Sequence, residues 1–236
     1  MKTLLFIMFA VLGLSGCALG LAPLSADPID SQVVDADTGA PIEGAVVLAH
    51  WELRSGSLSG DSLPCGSANV EDTVTDKDGK FHIPGWGPTM PGCSGEMRQG
   101  NPQLYVFKPG YYSRDVPNGF PDTMSVMTTH NAWRDEPLPL LKIPDIDPAK
   151  SEGDKFRSLQ SLETSMALFI EDMPTQCNWK KAPNMLRALA LQHQAYYQIG
   201  YRYFGLVDML ELNDQWYQKL APQCGSPKAF IEGLLK

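Results

Sequence analysis

The chain has 236 residues, of which 43% are apolar, and a formal charge of −8 from 19 Lys and Arg against 27 Asp and Glu. This length is enough for one large domain or two small ones. The acidic balance argues against a nucleic-acid partner, because no basic excess is available to displace counterions from phosphates. With 21 Gly and 19 Pro, the composition is typical of a turn-rich globular protein and not of a disordered or fibrous one.

The N-terminus has the pattern of an export signal. Lys2 precedes an almost unbroken apolar run at residues 4–14, which ends in Ser15-Gly16-Cys17. A membrane-spanning helix needs about 20 apolar residues, and here Pro23 and Asp27 follow too soon. We therefore predict a signal peptide over residues 1–16 and a short tether over residues 17–28.

The end of this signal, Leu14-Ser15-Gly16-Cys17, resembles the bacterial lipobox. The resemblance implies that Cys17 is diacylated and becomes the first residue of the mature chain. Membrane lipid is then a partner of the protein, because several acyl chains hold a protein stably on a bilayer. Ala18 follows where many Gram-negative bacteria use Asp to retain a lipoprotein in the inner membrane, so we expect the outer membrane. The alternative is cleavage by the ordinary secretory peptidase, which would leave Cys17 as a spare residue.

The other four cysteines are expected to form disulfides, because an exported protein matures in an oxidising compartment. Four cysteines allow three pairings. Cys65 and Cys93 lie in Gly/Pro/Ser-rich loops of one region, whereas Cys177 and Cys224 flank a helical region. We expect Cys65 to pair with Cys93 and Cys177 with Cys224. A metal site is the rival interpretation, but no Cys-x-x-Cys spacing occurs and no His is close to these residues in sequence.

Residues 29–145 have the period of β-strands. Val46, Leu48 and His50 alternate with Val47, Ala49 and Trp51, as in a strand that is buried on both faces or lies at the core of a sandwich. Turn signals recur at residues 37–41, 76–79 and 108–110, and Gly39 and Gly79 suit the positive φ of tight turns. Short strands at this spacing predict an antiparallel β-sandwich.

Three segments in this region carry a family resemblance. Residues 33–47 read VVDADTGAPIEGAVV, residues 73–81 read TVTDKDGKF, and residues 106–111 read VFKPGY. In this order they resemble the carboxypeptidase regulatory-like domain, which implies a transthyretin-like sandwich in which none of these residues is catalytic. The segments 54–69 and 84–101 are longer than a minimal sandwich needs, and long loops on a rigid scaffold often bind ligands.

Residues 150–236 change to the helical period, so the predicted fold class is α+β. One amphipathic helix runs from about Lys150 to Pro174, and a second begins near Pro183 and is expected to kink or divide at Gly200 and Gly205. A second apolar stripe on the latter helix predicts that it is covered on two sides. A short helix after Ser226 ends the chain.

The titratable residues do not form a recognisable catalytic set. None of His50, His82, His130 and His193 lies in a zinc-peptidase motif, so we expect His50, His82 and His193 to be structural and His130 to be the best surface candidate. Three Asp-x-Asp pairs, at residues 35 and 37, 76 and 78, and 145 and 147, could serve calcium, but Asp is also an ordinary turn former. We therefore expect no catalytic residue, no metal site and no cofactor.

Exposed aromatic residues supply the remaining candidates for binding. Trp86, in a Pro/Gly-rich loop, and Trp133 are expected to be exposed, whereas Trp51 is expected in the core. The sequence thus predicts a non-enzymatic envelope lipoprotein that binds or assembles with another envelope component. The alternatives are a carbohydrate-binding lipoprotein that uses Trp86 and Trp133, and an enzyme that uses carboxylates and His130.

Overall fold

The computed structural model describes residues 23–56, 62–93, 95–97, 102–116, 137–144, 148–170 and 174–236. Within these ranges a β region is followed by helices, which confirms the predicted α+β class. Three residues named above, Cys17, His130 and Trp133, lie outside the described residues, as does the Asp145 and Asp147 pair.

The β region forms two main sheets and a small one. The described strands are β1 (Leu24–Ala26), β2 (Ile29–Asp35), β3 (Val46–Gly56), β4 (Ser62–Val74), β5 (Lys80–Ile83), β6 (Trp86–Thr89), β7 (Glu96–Met97), β8 (Gln103–Phe107), β9 (Arg114–Val116) and β10 (Leu138–Leu140). The larger sheet has the order β4-β3-β8-β9, with β7 also paired to β3, and the second sheet has the order β10-β2-β5. A third, two-stranded sheet pairs β1 with β6. Among these pairs only β10 with β2 is parallel.

Strand β3 is buried on both faces, as the sequence predicts. Its side chains alternate between two hydrophobic cores, because successive side chains of a strand point to opposite sides. Val47, Ala49 and Trp51 belong to the inner core, which lies between the two main sheets. Val46 and Leu48 belong to the outer core, which lies between the larger sheet and the helices. The sheets therefore form a sandwich with a helical layer on one side.

Among the described residues, strand structure is already present before the start of the predicted sandwich. Strand β1 pairs Leu24 with Thr89 and Ala26 with Trp86, within the range expected to be tether. Because β1 pairs with the backbone of β6, the segment around Trp86 is a strand and not the open loop that its Pro and Gly content suggested.

The turns of the family-like segments are built by Asp and Gly, as predicted. Asp35 accepts hydrogen bonds through Oδ1 from the backbone N–H groups of Asp37 (3.1 Å) and Thr38 (2.9 Å). Asp76 Oδ1 accepts from the backbone N–H groups of Asp78 and Lys80, both at 2.9 Å. Gly79 has φ +70°, and a Cβ there would lie 2.5 Å from the Val33 carbonyl oxygen, so only glycine fits.

Five α-helices follow in the described residues. They are α1 (Pro148–Ile170), α2 (Pro183–Gln198), α3 (Leu206–Leu212), α4 (Asp214–Leu220) and α5 (Pro227–Leu234). Short 3-10 turns lie at Pro174–Gln176, Asn178–Lys181 and Pro222–Cys224. Ser226 caps α5 as predicted, because its Oγ accepts a hydrogen bond from the Ala229 N–H at 2.9 Å. None of the described helices is long and apolar enough to cross a bilayer.

The segment from Pro183 to Leu212 is divided between the two glycines, as expected. Its predicted seam is buried, with Leu186, Leu189, His193 and Tyr196 in or beside the outer core. The second stripe is not covered along α2, contrary to the prediction, because Leu191 is 42% and Ile199 57% exposed, whereas Leu206 on α3 is 1% exposed. The amphipathic helix α2 is therefore covered on one side only.

Both predicted disulfides are present. Cys65 pairs with Cys93 and Cys177 pairs with Cys224, at sequence separations of 28 and 47. Loops of these lengths give about 4 kcal/mol of stabilisation each in the chain-entropy model. The first ties β4 to the segment after β6, and the second ties two short 3-10 turns of the helical layer together.

Polar contacts fix the helical layer on the sandwich. Asp72 on β4 accepts hydrogen bonds from the Met185 N–H (2.7 Å) and the Asn184 side-chain amide (2.9 Å), so a strand carboxylate caps helix α2. On α1, the Ser158 Oγ accepts a hydrogen bond from the Ser113 N–H at 2.6 Å. With the shared outer core, these contacts hold the helices against the larger sheet.

Candidate ligand-binding cavity

A cavity of about 570 Å³ opens where the larger sheet meets helix α1. Its walls come from distant parts of the chain: β3, β4, β8, β9 and the C-terminal half of α1. Six lining residues carry the argument that follows, namely His50, Glu52, Ser67, Tyr105, Asp115 and Phe169. The volume is within the range of about 300–1,000 Å³ that is usual for small-molecule sites.

The cavity lies where the regular sheet ends. Strand β8 pairs with β3 only as far as His50, which leaves the outer side of β3 beyond that point without this neighbour. The β3–β4 register skips Ala68 and Cys65 on β4, and such bulges change where the following side chains point. The longer β3–β4 ladder therefore forms one wall, and α1 forms the opposite wall.

Three rings form the buried interior of the site. His50 stacks on Phe169 with ring centroids 4.0 Å apart and planes 19° apart, and Tyr105 lies 5.5 Å from Phe169. Each of the three residues is no more than 5% exposed. The sequence prediction of a structural His50 agrees with this packing.

Ser67 on β4 links this strand to the helical layer through hydrogen bonds. Its Oγ lies 2.8 Å from His50 Nε2 and accepts a hydrogen bond from the Asn178 side-chain amide at 3.1 Å. Its backbone N–H donates to Gln176 Oε1 at 2.9 Å. These contacts rigidify the wall of the cavity.

The Ser67–His50 pair is unlike an activated nucleophile. Burial lowers the pKa of His50 to about 3, so the ring is neutral at pH 7 and is a weak base. Among the described residues, no carboxylate accepts a hydrogen bond from His50. The pair therefore lacks the group that would stabilise an imidazolium. The arrangement is suited to holding a fixed hydrogen bond and not to proton transfer.

The polar groups of the cavity are mainly acceptors. Glu52 pairs with Arg54 at 2.8 Å, and Asp115 Oδ1 accepts a hydrogen bond from the Gln103 side-chain amide at 2.6 Å. Burial raises the pKa of Asp115, and the hydrogen bond from Gln103 partly offsets this effect. No basic residue lines this cavity in the part of the chain that the structure describes.

Tyr105 adds a buried hydroxyl to the wall. The residue is 3% exposed, and its hydroxyl is not among the buried polar atoms that lack a hydrogen-bond partner in the described chain. Burial raises the pKa of Tyr105 above its ordinary value, with smaller contributions from Asp115 and Glu52, so the hydroxyl keeps its proton. It remains able to donate or accept one hydrogen bond.

The expectation that Trp86 is an exposed loop residue is wrong. It begins β6, is partly buried against the inner core, and contacts Trp51 edge to face with ring centroids 5.5 Å apart. Trp51 is fully buried, as expected. The pairing of β6 with β1 brings Trp86 against this core, and the sequence showed no clear signal for that pairing.

Of the other described histidines and acidic pairs, His82, His193 and the pairs at residues 35 and 37 and at residues 76 and 78 do not line the cavity. His82 is exposed and lies 2.8 Å from Asp30, whereas His193 is buried and lies 3.0 Å from Asp208. In the described ranges, no group of three or more His, Cys, Asp or Glu residues is arranged to hold a metal ion. The Asp35 and Asp76 turns use their carboxylates on backbone amides, which is the turn interpretation of these motifs.

Sequence reasoning did not identify the cavity. The only available signal was polar substitution on one face of an apolar strand, at His50 and Glu52, with Gln103 on the neighbouring strand. That face is recognisable only when β8 is known to pair with β3 and α1 to cross it.

Comparison with known proteins gives little further information. No family model matches the chain, and no curated protein matches it either. Among solved structures, a streptococcal ancillary pilin matches with 17% sequence identity and a TM-score of 0.22. The match covers 52% of this chain and 30% of the pilin chain, so this chain spans about a third of the length of that protein.

Proposed function

We propose that this protein is a non-enzymatic lipoprotein of the cell envelope that acts as a binding or assembly module. Acylated Cys17 would anchor it to the outer membrane, and residues 29–145 would be a carboxypeptidase regulatory-like sandwich. The observation that carries the binding role is the cavity between the sheet and α1, in whose lining, among the described residues, no side chain is arranged as an activated nucleophile.

The turn chemistry supports the family assignment within this proposal. The residues that carry the resemblance, such as Asp35, Gly39 and Gly79, hold turns together and lie in a sandwich. They have structural roles, as the family resemblance implies. Function then belongs to the parts that depart from a minimal sandwich, which include the extended β3–β4 hairpin and the helical layer.

Charge supports an orientation away from the membrane. Residues 27–150 hold 18 acidic and 9 basic side chains, whereas residues 151–236 hold 9 of each. An acidic surface is repelled by anionic lipid. The sandwich would therefore project from the bilayer toward its envelope partner.

Carbohydrate binding through Trp86 and Trp133 is a weaker alternative after the correction for Trp86. Stacking on a sugar needs an accessible ring face, and Trp86 instead packs against Trp51. That alternative now depends on Trp133.

Metabolic labelling with a palmitate analogue tests the anchor. We expect the native protein to carry the label and to fractionate with the outer membrane. The Cys17→Ala variant should lose both properties, whereas Ala18→Ser, which keeps the cysteine, should retain the label. Label that persists in Cys17→Ala would contradict the proposal.

Two further measurements test the binding role. Cross-linking of intact envelopes followed by affinity capture should recover the same partner with the native protein and with Ala18→Ser. The purified mature protein should not hydrolyse peptides, esters or glycans. Hydrolysis that Ser67→Ala abolishes would show that the protein is an enzyme.

A further inference from the structure

We propose that the exposed face of helix α2 and the loop after it bind the surface of an anionic lipid bilayer. This α2 surface consists of five exposed residues, Leu191, Ile199, Tyr201, Arg202 and Phe204. The choice of a lipid partner rests on the proposed envelope location, but the contact is separate from the acyl anchor at Cys17. It follows from an uncovered apolar stripe, from the shape of the loop and from the local charge.

An apolar stripe runs along the outer side of α2. Leu191, Ala195 and Ile199 follow one another at intervals of four residues, so they lie on one face of the helix. All three are exposed, and Ile199 is 57% exposed. Single exposed apolar residues are common on protein surfaces, but a contiguous group indicates a site that contacts a protein or a membrane.

The chain leaves α2 through a fixed turn that continues this stripe. Gly200 has φ +88°, and the Tyr201 N–H donates a hydrogen bond to the Tyr196 carbonyl oxygen at 3.0 Å. Together these features form a glycine-terminated helix end of the Schellman type. The centroid of the Tyr201 ring lies 5.9 Å from that of Phe156 on α1. The loop is therefore packed on the helical layer, and its outward side chains have defined positions.

Beyond this turn, inward and outward side chains alternate. Tyr203 packs inward, edge to face with His193 at a centroid distance of 4.8 Å. Its neighbours Arg202 and Phe204 are exposed, and Phe204 is 59% exposed. The Arg202 guanidinium lies 5.6 Å from the centroid of the Tyr197 ring. The loop therefore presents a cation beside aromatic side chains on the same surface.

The charge of this segment favours an anionic partner. Residues 173–207 contain no Asp or Glu, although the chain as a whole has 27 acidic residues in 236. The basic residues of the segment are Lys180, Lys181, Arg187 and Arg202. Asp208, the first acidic residue after the segment, lies 3.0 Å from His193, and its side chain is only 23% exposed. A basic amphipathic helix is typical of a segment that lies on a membrane surface.

The chemistry of the exposed side chains fits the boundary between lipid and water. Tyrosine is enriched there because its ring is apolar and its hydroxyl is polar. Arginine can bury its methylene groups at this boundary and keep its guanidinium among the phosphates. A second copy of the chain fits less well, because an isologous dimer would bring the same basic surface against itself.

The proposed anchor would make even a weak contact effective. An acylated chain stays close to the bilayer, so the α2 surface would meet lipid at a high effective concentration. Residues 151–236 hold 9 acidic and 9 basic side chains, so the helical layer can approach an anionic surface more readily than the acidic sandwich. The contact would therefore set the orientation of the anchored protein, with the sandwich away from the membrane.

Vesicle flotation tests this contact without the acyl anchor. The probe is the mature chain from residue 17 with Cys17→Ala, mixed with vesicles of phosphatidylethanolamine and phosphatidylglycerol or of phosphatidylcholine alone. We expect saturable binding to the first kind of vesicle, weaker binding to the second, and a loss of binding as ionic strength rises. Phe204→Ser should bind about tenfold more weakly, because it removes apolar area. Arg202→Gln should bind about fivefold more weakly, because it removes one positive charge.

Two variants in the β region are the matched controls. Met90→Ser removes an apolar side chain that is also 59% exposed, and Lys77→Gln removes one exposed positive charge. Both should bind vesicles as the Cys17→Ala chain does. Equal binding by Phe204→Ser, or no binding to the anionic vesicles, would overturn the proposal.

Sedimentation equilibrium tests the rival occupant. A dimer that Phe204→Ser dissociates, in a chain that does not bind vesicles, would assign the α2 surface to a second copy and overturn the lipid contact. Palmitate labelling reports on the proposed anchor separately, because none of the flotation samples is acylated.

Discussion

The inner and outer cores differ in how many of the buried polar atoms beside them lack a hydrogen-bond partner among the described residues. Beside the inner core, the buried Thr75 hydroxyl accepts a hydrogen bond from the Ala45 N–H and donates one to the Ile42 carbonyl oxygen. Two polar atoms at this core, the indole N–H groups of Trp51 and Trp86, are buried without a partner among the described residues. The helical layer is less complete: neither carboxylate oxygen of Glu163 nor the hydroxyl of Tyr203 has a hydrogen bond of ordinary geometry among the described residues. Such groups reduce stability, and their concentration beside the outer core indicates that its sequence is not optimised for packing alone.

This difference predicts that the helical layer is the weaker half and depends more on its covalent link. Replacing both cysteines in Cys177→Ala/Cys224→Ala should lower the free energy of unfolding by about 4 kcal/mol, because the pair closes a loop of 47 residues. Hydrogen exchange should show lost protection first in α2 and α5, while β2 and β8 keep theirs.

The matched control is Cys65→Ala/Cys93→Ala, which opens a loop of 28 residues at the cavity end of β4. It should cost a similar free energy in urea unfolding but loosen β4 instead of the helices. If Cys177→Ala/Cys224→Ala lowered hydrogen-exchange protection equally in both cores, the sandwich and the helical layer would unfold as one unit. That result would contradict the prediction that the helical layer is the weaker half.

The same contrast explains what sequence could predict. Alternation along β3 identified its double burial, and the turn residues around Asp35 and Gly79 identified the hairpins, because these signals are local. The pairing of β1 with β6 could not be predicted, since Leu24–Ala26 is only three residues long.

Tertiary packing decided the remaining features. The helical period of α2 predicted its buried seam, but it could not show that nothing covers Leu191 and Ile199 in the described fold. The cavity needs His50 and Phe169 together, and these residues are more than a hundred positions apart in sequence. No local pattern specifies which strand edge a helix will cross.

A second prediction concerns the buried carboxyl group of Glu163 on helix α1, in the helical layer. Burial raises the pKa of Glu163 from 4.5 to about 7, with a smaller opposite effect from Tyr203. The folded protein therefore holds a proton that the unfolded chain has released between about pH 4.5 and 7. The free energy of unfolding falls as pH rises through this window, by about 3 kcal/mol in total from this group.

Glu163→Gln should remove this contribution, because the amide is neutral at every pH. The variant should match the native protein near pH 4.5 and exceed its stability above pH 8 in urea titrations at a series of pH values. Glu232→Gln on the exposed side of α5 makes the same chemical change and should leave the native pH profile unaltered. A native profile retained by Glu163→Gln would mean that Glu163 is not the group that titrates.

The smallest expected effect tests the contact between the layers. Asp72 caps α2 from strand β4, and burial raises its pKa to about 6, offset in part by hydrogen bonds from Met185 and Asn184. Asp72→Ala removes the cap and should lower stability by about 1 kcal/mol near pH 7. The loss is modest because the substitution also removes the cost of a partly desolvated charge.

Asp72→Asn separates these two effects. It keeps an acceptor for the Met185 N–H while removing the charge, so it should fall between Asp72→Ala and the native protein in urea unfolding. Hydrogen exchange should place the change in the first turn of α2 and not in the inner core. If Asp72→Ala unfolded at the same urea concentration as the native protein, the strand carboxylate would not be holding the helix, and the attachment of the helical layer would rest on its apolar contacts alone.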